Sequence, residues 1–463
     1  MPANQHRPLR GGIFSWWRQW SNRESTIAAV ILAVLLLTFT LSIISDSRTN
    51  TNPISNTDTV SEWVPFTPLS KAQQNTACSY TSLSVLGDLD LDLTVGFFTL
   101  SYTTMVSEQT PYFLVLVTTY GVRAPAQRGC RVESVVGGGW CNTISSCSSR
   151  KRTALGSSKY MDHQVQFSGL LSCNPLQNPD FFNWNRVKIR YCDGASFSGH
   201  PESEFKNGTK LFFRGQLIWN TLMDELLTIG MSTAKQALLT GCSAGGLATL
   251  IHCDDFREIM PKDANVKCLA DAGFFLNKKD IAGNHTIEFF YRDVVHLQGV
   301  SRSLNKECVA RSEPSKCFFP QEFIKSIKTP VFLVNPAYDF WQIRNILVPD
   351  ASDPNESWRR CRLNIHNCNP ELLEVLQGFR NALLKTLIEF QQNEEAGMFI
   401  NSCFVHCQTW IAETWHSPSS PRINNKTIAE SVGDWYFNRK TAKHIDCPFP
   451  CNPTCYNLDF GQG

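Results

Sequence analysis

The stretch Q-A-L-L-T-G-C-S-A-G-G-L-A, residues 236–248, joins a short apolar run to a G-x-S-x-G turn and then to an amphipathic stretch that ends near residue 260. The run at 236–240 predicts a strand and the stretch at 247–260 predicts a helix, with Ser243 at the turn between them. Glycines two positions before and after the serine let strand and helix approach closely. We therefore predict a nucleophile elbow, whose strained backbone presents the Ser243 hydroxyl; a merely tight connection is the alternative.

The rest of the chain indicates an α/β fold around this turn. Short apolar runs alternate with amphipathic stretches from about residue 136 onward, which is the pattern of βα units. Further strands are predicted at 187–191 and 329–334, and further helices at 213–230 and about 370–393. With 463 residues, 42% of them hydrophobic, the chain can bury one large core. The predicted fold class is α/β, with an α/β-hydrolase-like, mainly parallel sheet and helices on both faces.

Asp339 is the best candidate for an acid that would assist the serine. A serine hydroxyl needs a base near neutral pH, and the base needs a carboxylate that fixes its tautomer. Hydrolases of this architecture place first the acid and then the histidine after the serine in the chain. Asp339 follows the predicted strand at 329–334, and loops at the carboxyl ends of parallel strands collect active-site groups. Asp350 and Asp353 lie in polar, proline-containing sequence and are expected to be solvated.

His406 is the preferred base because Cys403 and Cys407 flank it and could hold its loop through disulfides. A single histidine is more often a surface or hydrogen-bonded structural residue, and spacing alone leaves three alternatives open. These alternatives are His366, His416 and His444. His252 lies nine residues after the serine on the same predicted helix, and we expect it to point away from the turn and to pack.

The glycine-rich run G-G-G-W at 137–140 is similar to an oxyanion loop. Backbone N–H groups of such a loop can face the negative oxygen that forms during acyl transfer. Ala244, the residue after the nucleophile, would donate a further N–H, and the dipole of the helix that follows also favours an anion. A flexible glycine turn is the alternative.

Together these motifs resemble the plant pectin acetylesterase family, to which the animal Notum carboxylesterases are related. The resemblance runs from residue 137 to about residue 455 and rests on eleven blocks in the same order. The blocks are G-G-G-W-C-N at 137–142, S-S-K at 157–159, N-P-D-F-F-N-W-N at 178–185, Y-C-D-G at 191–194, F-R-G at 213–215, G-C-S-A-G-G-L-A at 241–248, H-C-D-D-F at 252–256, D-A-G-F-F at 271–275, N-P-A-Y-D at 335–339, W-Q-I-R-N at 341–345 and H-C-Q at 406–408.

The resemblance implies a site and a reaction. The implied catalytic triad is Ser243, Asp339 and His406, and the implied oxyanion-hole donors are Gly139, Trp140 and Ala244. The implied reaction is hydrolysis of acetyl esters on pectin, the galacturonan of plant cell walls, through an acetyl-enzyme and without a metal or organic cofactor. A polyuronate should meet basic side chains, and Arg344 is a candidate, although a packing or surface role is the simpler interpretation. Nucleic acid is not expected as a partner, because the net charge is only +2 and basic residues are scattered.

Two other functions stay open. The resemblance to Notum allows an esterase of the same mechanism that acts on longer acyl groups, which would require a deep apolar pocket. A membrane-tethered wall-binding protein without catalysis is the second alternative.

The second alternative is motivated by residues 79–136, where we find no counterpart of the family blocks. Cys78 is followed by S-Y-T-S-L-S-V-L-G-D, and R-G-C-R-V at 128–132 precedes G-G-G-W. Our hypothesis is an altered gene model or splice form, which sequencing the transcript would test; an unchanged reading frame would dispose of it. If the segment is authentic, the strand that positions the oxyanion loop is in doubt and activity is expected to be impaired.

Eighteen cysteines and four N-x-S/T sequons indicate an oxidising, lumenal or extracellular compartment. The sequons begin at Asn207, Asn284, Asn355 and Asn425. The sequence lacks the paired C-x2-C motifs of zinc sites, so we expect disulfides rather than a metal. We expect Cys242, inside the elbow, and Cys130, in the segment 79–136, to be free and the other sixteen cysteines to be mostly paired.

Residues 27–44 form an uncharged run rich in Ala, Val, Leu and Ile, close to the roughly 20 residues that span a bilayer. Four arginines precede the run and Ser45 and Asp46 follow it, so the positive-inside rule places the rest of the chain in the lumen. A cleaved signal peptide is the alternative. The expected division is a cytosolic tail at 1–25, a transmembrane signal-anchor helix at 26–45, a stem at 46–75 and an esterase domain at 76–463. This organisation predicts a single-pass membrane protein of the secretory pathway, at the cell wall or in the Golgi.

Overall fold

The computed structural model describes residues 62–65, 80–85, 98–103, 112–118, 138–157, 160–161, 164–190, 193–200, 211–228 and 230–460. The predicted tail at 1–25 and the predicted membrane anchor at 26–45 lie outside the described residues, as do Cys130 and Gly137. Within the described ranges, no helix is long and apolar enough to cross a bilayer.

In the part of the chain that the structure describes, nine strands form the main sheet and two further strands form a small ribbon. The ribbon pairs β1 (Glu62–Pro65), which lies in the predicted stem, antiparallel with β5 (Gln164–Phe167). The main strands are β2 (Tyr80–Val85), β3 (Phe98–Thr103), β4 (Tyr112–Thr118), β6 (Asn185–Arg190), β7 (Gln236–Cys242), β8 (Asn265–Asp271), β9 (Val331–Val334), β10 (Gly397–Ile400) and β11 (Lys443–Ile445).

The main sheet has the order β11-β10-β9-β8-β7-β4-β6-β3-β2. Neighbouring strands are parallel throughout, except that β3 runs antiparallel to both β6 and β2. The prediction of a mainly parallel sheet is confirmed. Because the carboxyl ends of β7, β8, β9 and β10 meet at one edge, residues that follow these strands lie close together.

The helices of the described ranges connect these strands. They are α1 (Ile144–Arg150), α2 (Gly215–Thr228), α3 (Ala244–Ile251), α4 (Cys253–Ile259), α5 (Thr286–Gln298), α6 (Lys306–Arg311), α7 (Pro320–Phe323), α8 (Phe340–Gln342), α9 (Arg359–Leu363), α10 (Pro370–Thr386), α11 (Ile388–Gln392), α12 (Ala412–Trp415) and α13 (Ile428–Tyr436). The predicted helix at 247–260 is divided at His252 into α3 and α4, and the one at 370–393 is divided at Leu387 into α10 and α11.

Both faces of the sheet are covered by apolar packing. Successive side chains of a strand point to opposite faces, so Leu238 of β7 enters one buried cluster with Leu269 and Phe332. The adjacent Leu239 enters the larger cluster, which contains α2 and α5 side chains such as Trp219 and Tyr291. This double burial holds the carboxyl end of β7, and with it Ser243, at the centre of the fold.

The segment 79–136, which has no family counterpart in sequence, contains three strands of the sheet. β4 lies between β6 and β7 and pairs in parallel with both, in register from Tyr112 opposite Gln236 to Val117 opposite Gly241. A strand therefore occupies the sheet position next to the one that carries Ser243.

Among the described residues, fourteen cysteines form seven disulfides. The pairs are Cys141–Cys147, Cys242–Cys407, Cys253–Cys268, Cys308–Cys317, Cys361–Cys368, Cys403–Cys455 and Cys447–Cys451. The prediction of disulfides is confirmed for the closely spaced cysteines at 403–407 and 447–455.

The prediction that Cys242 is free is wrong, because Cys242 is bonded to Cys407. We expected a cross-link inside the elbow to be awkward. The last residue of β7 nevertheless faces the loop that follows β10, and the two Cα atoms are 5.6 Å apart, within the usual range for a disulfide.

Candidate active site

Ser243 connects β7 to α3 with φ 58° and ψ −127°. A non-glycine residue with positive φ is a strained feature that surrounding structure must hold in place. Around Ser243 the backbone of β7 packs directly on the backbone of α3, because a Cβ atom on Gly241 would collide with the carbonyl oxygen of Gly245. A Cβ atom on Gly246 would lie 2.8 Å from the carbonyl oxygen of Asp271. Gly241 is therefore required by the turn, and Gly246 by the close approach of α3 to the end of β8.

The structure brings Ser243, His406 and Asp339 into one chain of hydrogen bonds. Ser243 Oγ lies 2.8 Å from His406 Nε2. His406 Nδ1 lies 2.9 Å from Oδ1 and 2.8 Å from Oδ2 of Asp339. Because the carboxylate can only accept, Nδ1 carries the proton toward it, and Nε2 is left to accept the proton of the serine hydroxyl.

Asp339 is held by the backbone of the short helix α8 that it caps. Its Oδ1 accepts hydrogen bonds from the N–H groups of Trp341 at 2.9 Å and Gln342 at 3.1 Å. The side chain is 1% exposed, against 8% for the ring of His406. These two N–H groups, at the N-terminus of α8, fix the carboxylate in its buried position.

The loop that carries His406 is fixed on both sides of the histidine. Cys403 is bonded to Cys455, and Cys407 is bonded to Cys242 directly before Ser243. The cysteines that flank His406 therefore restrict its loop, as predicted from their spacing. The second disulfide also ties the loop to the strand that carries the serine.

Asp271, at the end of β8, is a buried residue of this site that sequence analysis missed. Its Oδ2 accepts hydrogen bonds from the N–H of Gln408 at 2.6 Å, the N–H of Thr409 at 2.7 Å and the hydroxyl of Thr409 at 2.9 Å. Its carbonyl oxygen accepts from the N–H of Ser243 at 2.9 Å. Burial raises the pKa of Asp271 to about 6, against the lowering effect of these hydrogen bonds. One aspartate thus holds the residues that follow His406 and the serine turn.

The alternative histidines have other partners. His416 Nδ1 lies 3.0 Å from Thr427 Oγ1, and His366 Nε2 lies 3.3 Å from the side-chain nitrogen of Asn457. His444 lies on β11 against the ring of Phe399. Of the four histidines considered, His406 is the one that the structure places against Ser243 and Asp339.

The prediction that His252 packs away from the serine is confirmed. Its ring is fully buried and stacks on Trp219 with a centroid distance of 4.4 Å. Its Nε2 lies 3.2 Å from the carbonyl oxygen of Phe197.

The loop around Gly139 and Trp140 is also in a restrained conformation. Gly138 and Gly139 have φ of 89° and 60°, which side chains disfavour. The guanidinium group of Arg150 donates to the carbonyl oxygen of Gly138 at 2.7 Å, and a disulfide joins Cys141 to Cys147. The indole N–H of Trp140 donates to Ser196 Oγ at 2.7 Å, and this serine hydroxyl in turn donates to the carbonyl oxygen of Ala244 at 2.8 Å. Trp140 and Ala244 are thereby joined through Ser196, and Gly139 directly precedes Trp140 in the same loop.

Arg344 is not joined to this network by any contact that the structure shows within the described ranges. It lies in a turn of π-helix, Ile343–Leu347, with its guanidinium group 6.0 Å from the centroid of the Phe460 ring. Phe460 packs in turn on Phe340. A substrate contact of Arg344 stays a prediction.

Among the described residues, one cluster has the ligand types of a metal site. It consists of Asp446, Cys447 and Cys451. The two cysteines are bonded to each other, so they lack the thiolates that a soft metal would require.

Comparison with known proteins points to one family. A family model described as Pectinacetylesterase matches residues 132–456. Pectin acetylesterase 5 of Arabidopsis thaliana is 66% identical over 324 residues, which are 70% of this chain and 76% of that protein. Pectin acetylesterase 7 of the same plant is 45% identical over 320 residues, 69% of this chain and 82% of that protein. Most of the segment 79–136 lies before the matched region.

The Notum carboxylesterases are more distant relatives. The palmitoleoyl-protein carboxylesterase NOTUM of Homo sapiens is 28% identical over 348 residues, 69% of this chain and 65% of that protein. A crystal structure of the Wnt deacylase Notum from Drosophila superposes with a TM-score of 0.64 at 20% identity, over 82% of this chain and 100% of that one. At this identity the superposition shows a common fold.

Proposed function

The chain belongs to the pectinacetylesterase family, and from that premise we propose that it removes acetyl groups from cell-wall pectin through Ser243, His406 and Asp339. As a member of this family it is a carboxylic ester hydrolase. The substrate assignment is supported by the names of the similar Arabidopsis thaliana proteins, and the residue roles are supported by the geometry of the site.

The observation that carries the mechanism is the continuous path from the serine hydroxyl to a buried carboxylate. His406 Nε2 is 2.8 Å from Ser243 Oγ, within reach of the proton that the serine must lose. As the serine oxygen attacks the acetyl carbonyl, the imidazole becomes positively charged. Asp339, 2.8 Å from Nδ1, stabilises that charge and holds the ring in the required tautomer.

The attack produces a tetrahedral intermediate with a negative oxygen. The N–H of Ala244 at the start of α3 and the N–H groups of Gly139 and Trp140 are the proposed donors to it. Collapse of the intermediate transfers the proton from His406 to the galacturonate oxygen and leaves an acetyl group on Ser243. Water, deprotonated by the same imidazole, then releases acetate and restores the serine.

Sequon positions and disulfides support a place in the secretory pathway. Asn284, Asn355 and Asn425 are all exposed, as glycosylation would require, whereas Asn207 lies outside the described residues. Seven disulfides are typical of a protein that folds in an oxidising compartment. Attachment to a membrane through residues 26–45 remains part of the proposal.

The direct test is release of acetate from acetylated pectin by the purified full-length chain and its Ser243→Ala variant. We expect acetate release by the wild type and its loss in the variant. Ser232→Ala is the matched control, because Ser232 is an exposed serine shortly before the elbow and should be dispensable. Equal acetate release by the wild type and Ser243→Ala would refute the mechanism. A wild type that binds pectin without releasing acetate would instead favour a wall-binding protein.

The longer-chain alternative is supported by the similarity to NOTUM. Hydrolysis of acetyl and octanoyl esters of p-nitrophenol by the same preparation separates the two functions. We expect faster hydrolysis of the acetyl ester, and a preference for the octanoyl ester would reverse the assignment.

A further inference from the structure

The turn at residues 193–197 packs against both halves of the proposed oxyanion hole, and its backbone is strained. Ser196 and Phe197 have φ of 55° and 58°, so two consecutive side-chain-bearing residues lie in the left-handed region. The buried carboxylate of Asp193 holds this conformation by accepting the N–H groups of Ala195 at 3.0 Å and Phe197 at 3.1 Å. Strain of this kind persists where the surrounding structure determines the conformation, and it concentrates at functional sites.

Ser196 makes two hydrogen bonds that connect separate parts of the chain. Its hydroxyl oxygen accepts a hydrogen bond from the indole N–H of Trp140 at 2.7 Å, and the hydroxyl group donates one to the carbonyl oxygen of Ala244 at 2.8 Å. The residue is fully buried, so water cannot replace either bond. One hydroxyl group therefore sets the distance between the Gly139–Trp140 loop and the first turn of α3.

The rest of the turn is cross-linked to the Gly139–Trp140 loop. On the loop side, the side-chain nitrogen of Gln298 donates to the carbonyl oxygens of Cys141 at 2.7 Å and Gly194 at 2.8 Å. Arg150 donates at 2.7 Å to the carbonyl oxygen of Gly138 and at 3.0 Å to that of Asp193. These bonds make the turn and the loop one rigid unit, which Ser196 joins to α3.

We propose that Ser196 is a positioning residue for the oxyanion hole, which fixes the N–H donors of Gly139 and Trp140 relative to that of Ala244 before substrate binds. This inference rests on the proposed function. A preorganised oxyanion hole stabilises the transition state more than it stabilises the bound substrate, because its donors point at negative charge that develops only in the transition state. Loss of the Ser196 hydroxyl should therefore lower kcat and leave KM nearly unchanged.

The test compares Ser196→Ala with Ser198→Ala. Ser198 is the matched control because it is also fully buried in the same segment, but its hydroxyl donates to the carbonyl oxygen of Ser196 and not to an oxyanion-hole element. With p-nitrophenyl acetate, we expect kcat of Ser196→Ala to fall by roughly tenfold to a hundredfold, as for the misplacement or loss of an oxyanion donor. Ser198→Ala should stay within about twofold of the wild type.

A second measurement separates positioning from a general loss of structure. A trifluoromethyl ketone adds to the serine and forms a tetrahedral oxyanion, whereas acetate binds as the product. Affinity for the ketone should fall by the same factor as kcat/KM in Ser196→Ala, while inhibition by acetate and the urea midpoint stay close to those of Ser198→Ala. If Ser196→Ala does not fold, Ser196→Gly removes the hydroxyl and also relieves the positive φ.

The outcomes are distinct. Equal kcat for Ser196→Ala and Ser198→Ala, or a loss confined to KM, would overturn the inference. So would unchanged affinity for the ketone. A wild type that hydrolyses no acetyl ester would instead refute the proposed function on which the inference rests.

Discussion

Asp271→Asn removes a buried charge from the site and keeps its hydrogen bonds. In the wild type, Oδ2 of Asp271 accepts three donors from Gln408 and Thr409. The amide oxygen of asparagine can accept the same three. Its amide nitrogen takes the place of Oδ1, which has no hydrogen-bond partner among the described residues. The variant therefore retains the hydrogen bonds to the loop after His406, and it loses the titration of residue 271 together with the coulombic interaction of Asp271 with His406.

The magnitude of the effect follows from the pKa. Burial raises the pKa of Asp271 from 3.8 to about 6, a shift that corresponds to about 3 kcal/mol. Because the folded protein binds this proton more tightly than the unfolded chain does, the stabilisation is fully present below about pH 4 and is lost as the pH rises through 6. About 2 kcal/mol of it is lost between pH 4 and pH 7. Asparagine does not titrate, so the variant loses none of this free energy.

The assay is urea unfolding at a series of pH values from 4 to 7, with the disulfides intact. The free energy of unfolding of Asp271→Asn minus that of the wild type should rise by about 2 kcal/mol over this range. Asp254→Asn is the matched control. Asp254 also accepts two backbone N–H groups and a threonine hydroxyl, from Lys328 and Thr329, but it is only partly buried. A difference that stays constant with pH, or that falls, would refute the reasoning.

Three further perturbations test other parts of the structure. Gly246→Ala should destabilise the protein by about 1–3 kcal/mol, because the added Cβ meets the Asp271 carbonyl. Gly378→Ala lies at an exposed helix position with open space and should stabilise the protein by up to about 1 kcal/mol. The urea midpoints of the two variants should therefore shift in opposite directions, and shifts of the same sign would contradict this reasoning. Replacing Cys242 and Cys407 together by alanine opens a loop with a sequence separation of 165. The free energy of unfolding should fall by about 2–5 kcal/mol, and kcat should fall as well. An unchanged kcat would show that the disulfide does not position the histidine. Arg344→Gln should raise KM for acetylated oligogalacturonides and leave KM for p-nitrophenyl acetate unchanged; equal KM values for both proteins on both substrates would leave Arg344 as a packing residue.

The sequence predicts the parts of the fold that depend on neighbouring residues. The strand, turn and helix around Ser243 follow from a local pattern of apolar residues and glycines, and the structure contains them at the expected positions. The strand predicted at 187–191 is present as Asn185–Arg190, shifted by one to two residues. Asp339 and His406 each follow a strand that ends at the same edge of the sheet as β7, which is why chain order was informative.

Contacts between distant parts of the chain were not predictable in the same way. The residues next to Asp271 in the sequence do not indicate that it accepts hydrogen bonds from Gln408 and Thr409. The residues next to Ser196 likewise do not indicate its contact with Trp140. The local geometry of the turn led us to expect that Cys242 is free. The bond between Cys242 and Cys407 depends instead on how β7 and β10 are placed in the sheet.

Burial of charge on β6 is a further case. Alternation along this strand separates Val187 and Ile189 from Arg186, Lys188 and Arg190, and such alternation usually indicates a solvated polar face. Here all three cations are buried, and burial lowers the pKa of Lys188 to about 7 with a further contribution from Arg190. A single strand does not indicate what covers its polar face.

The central claim is tested most directly by locating the acyl group of the intermediate. The enzyme is mixed with p-nitrophenyl acetate, quenched in acid during the first turnover, digested and analysed by peptide mass spectrometry. The account predicts one added acetyl group on the peptide that contains Ser243, and none in the His406→Ala variant on the same time scale. An acetyl group on any other residue, or full acetylation of Ser243 without the imidazole, would contradict it.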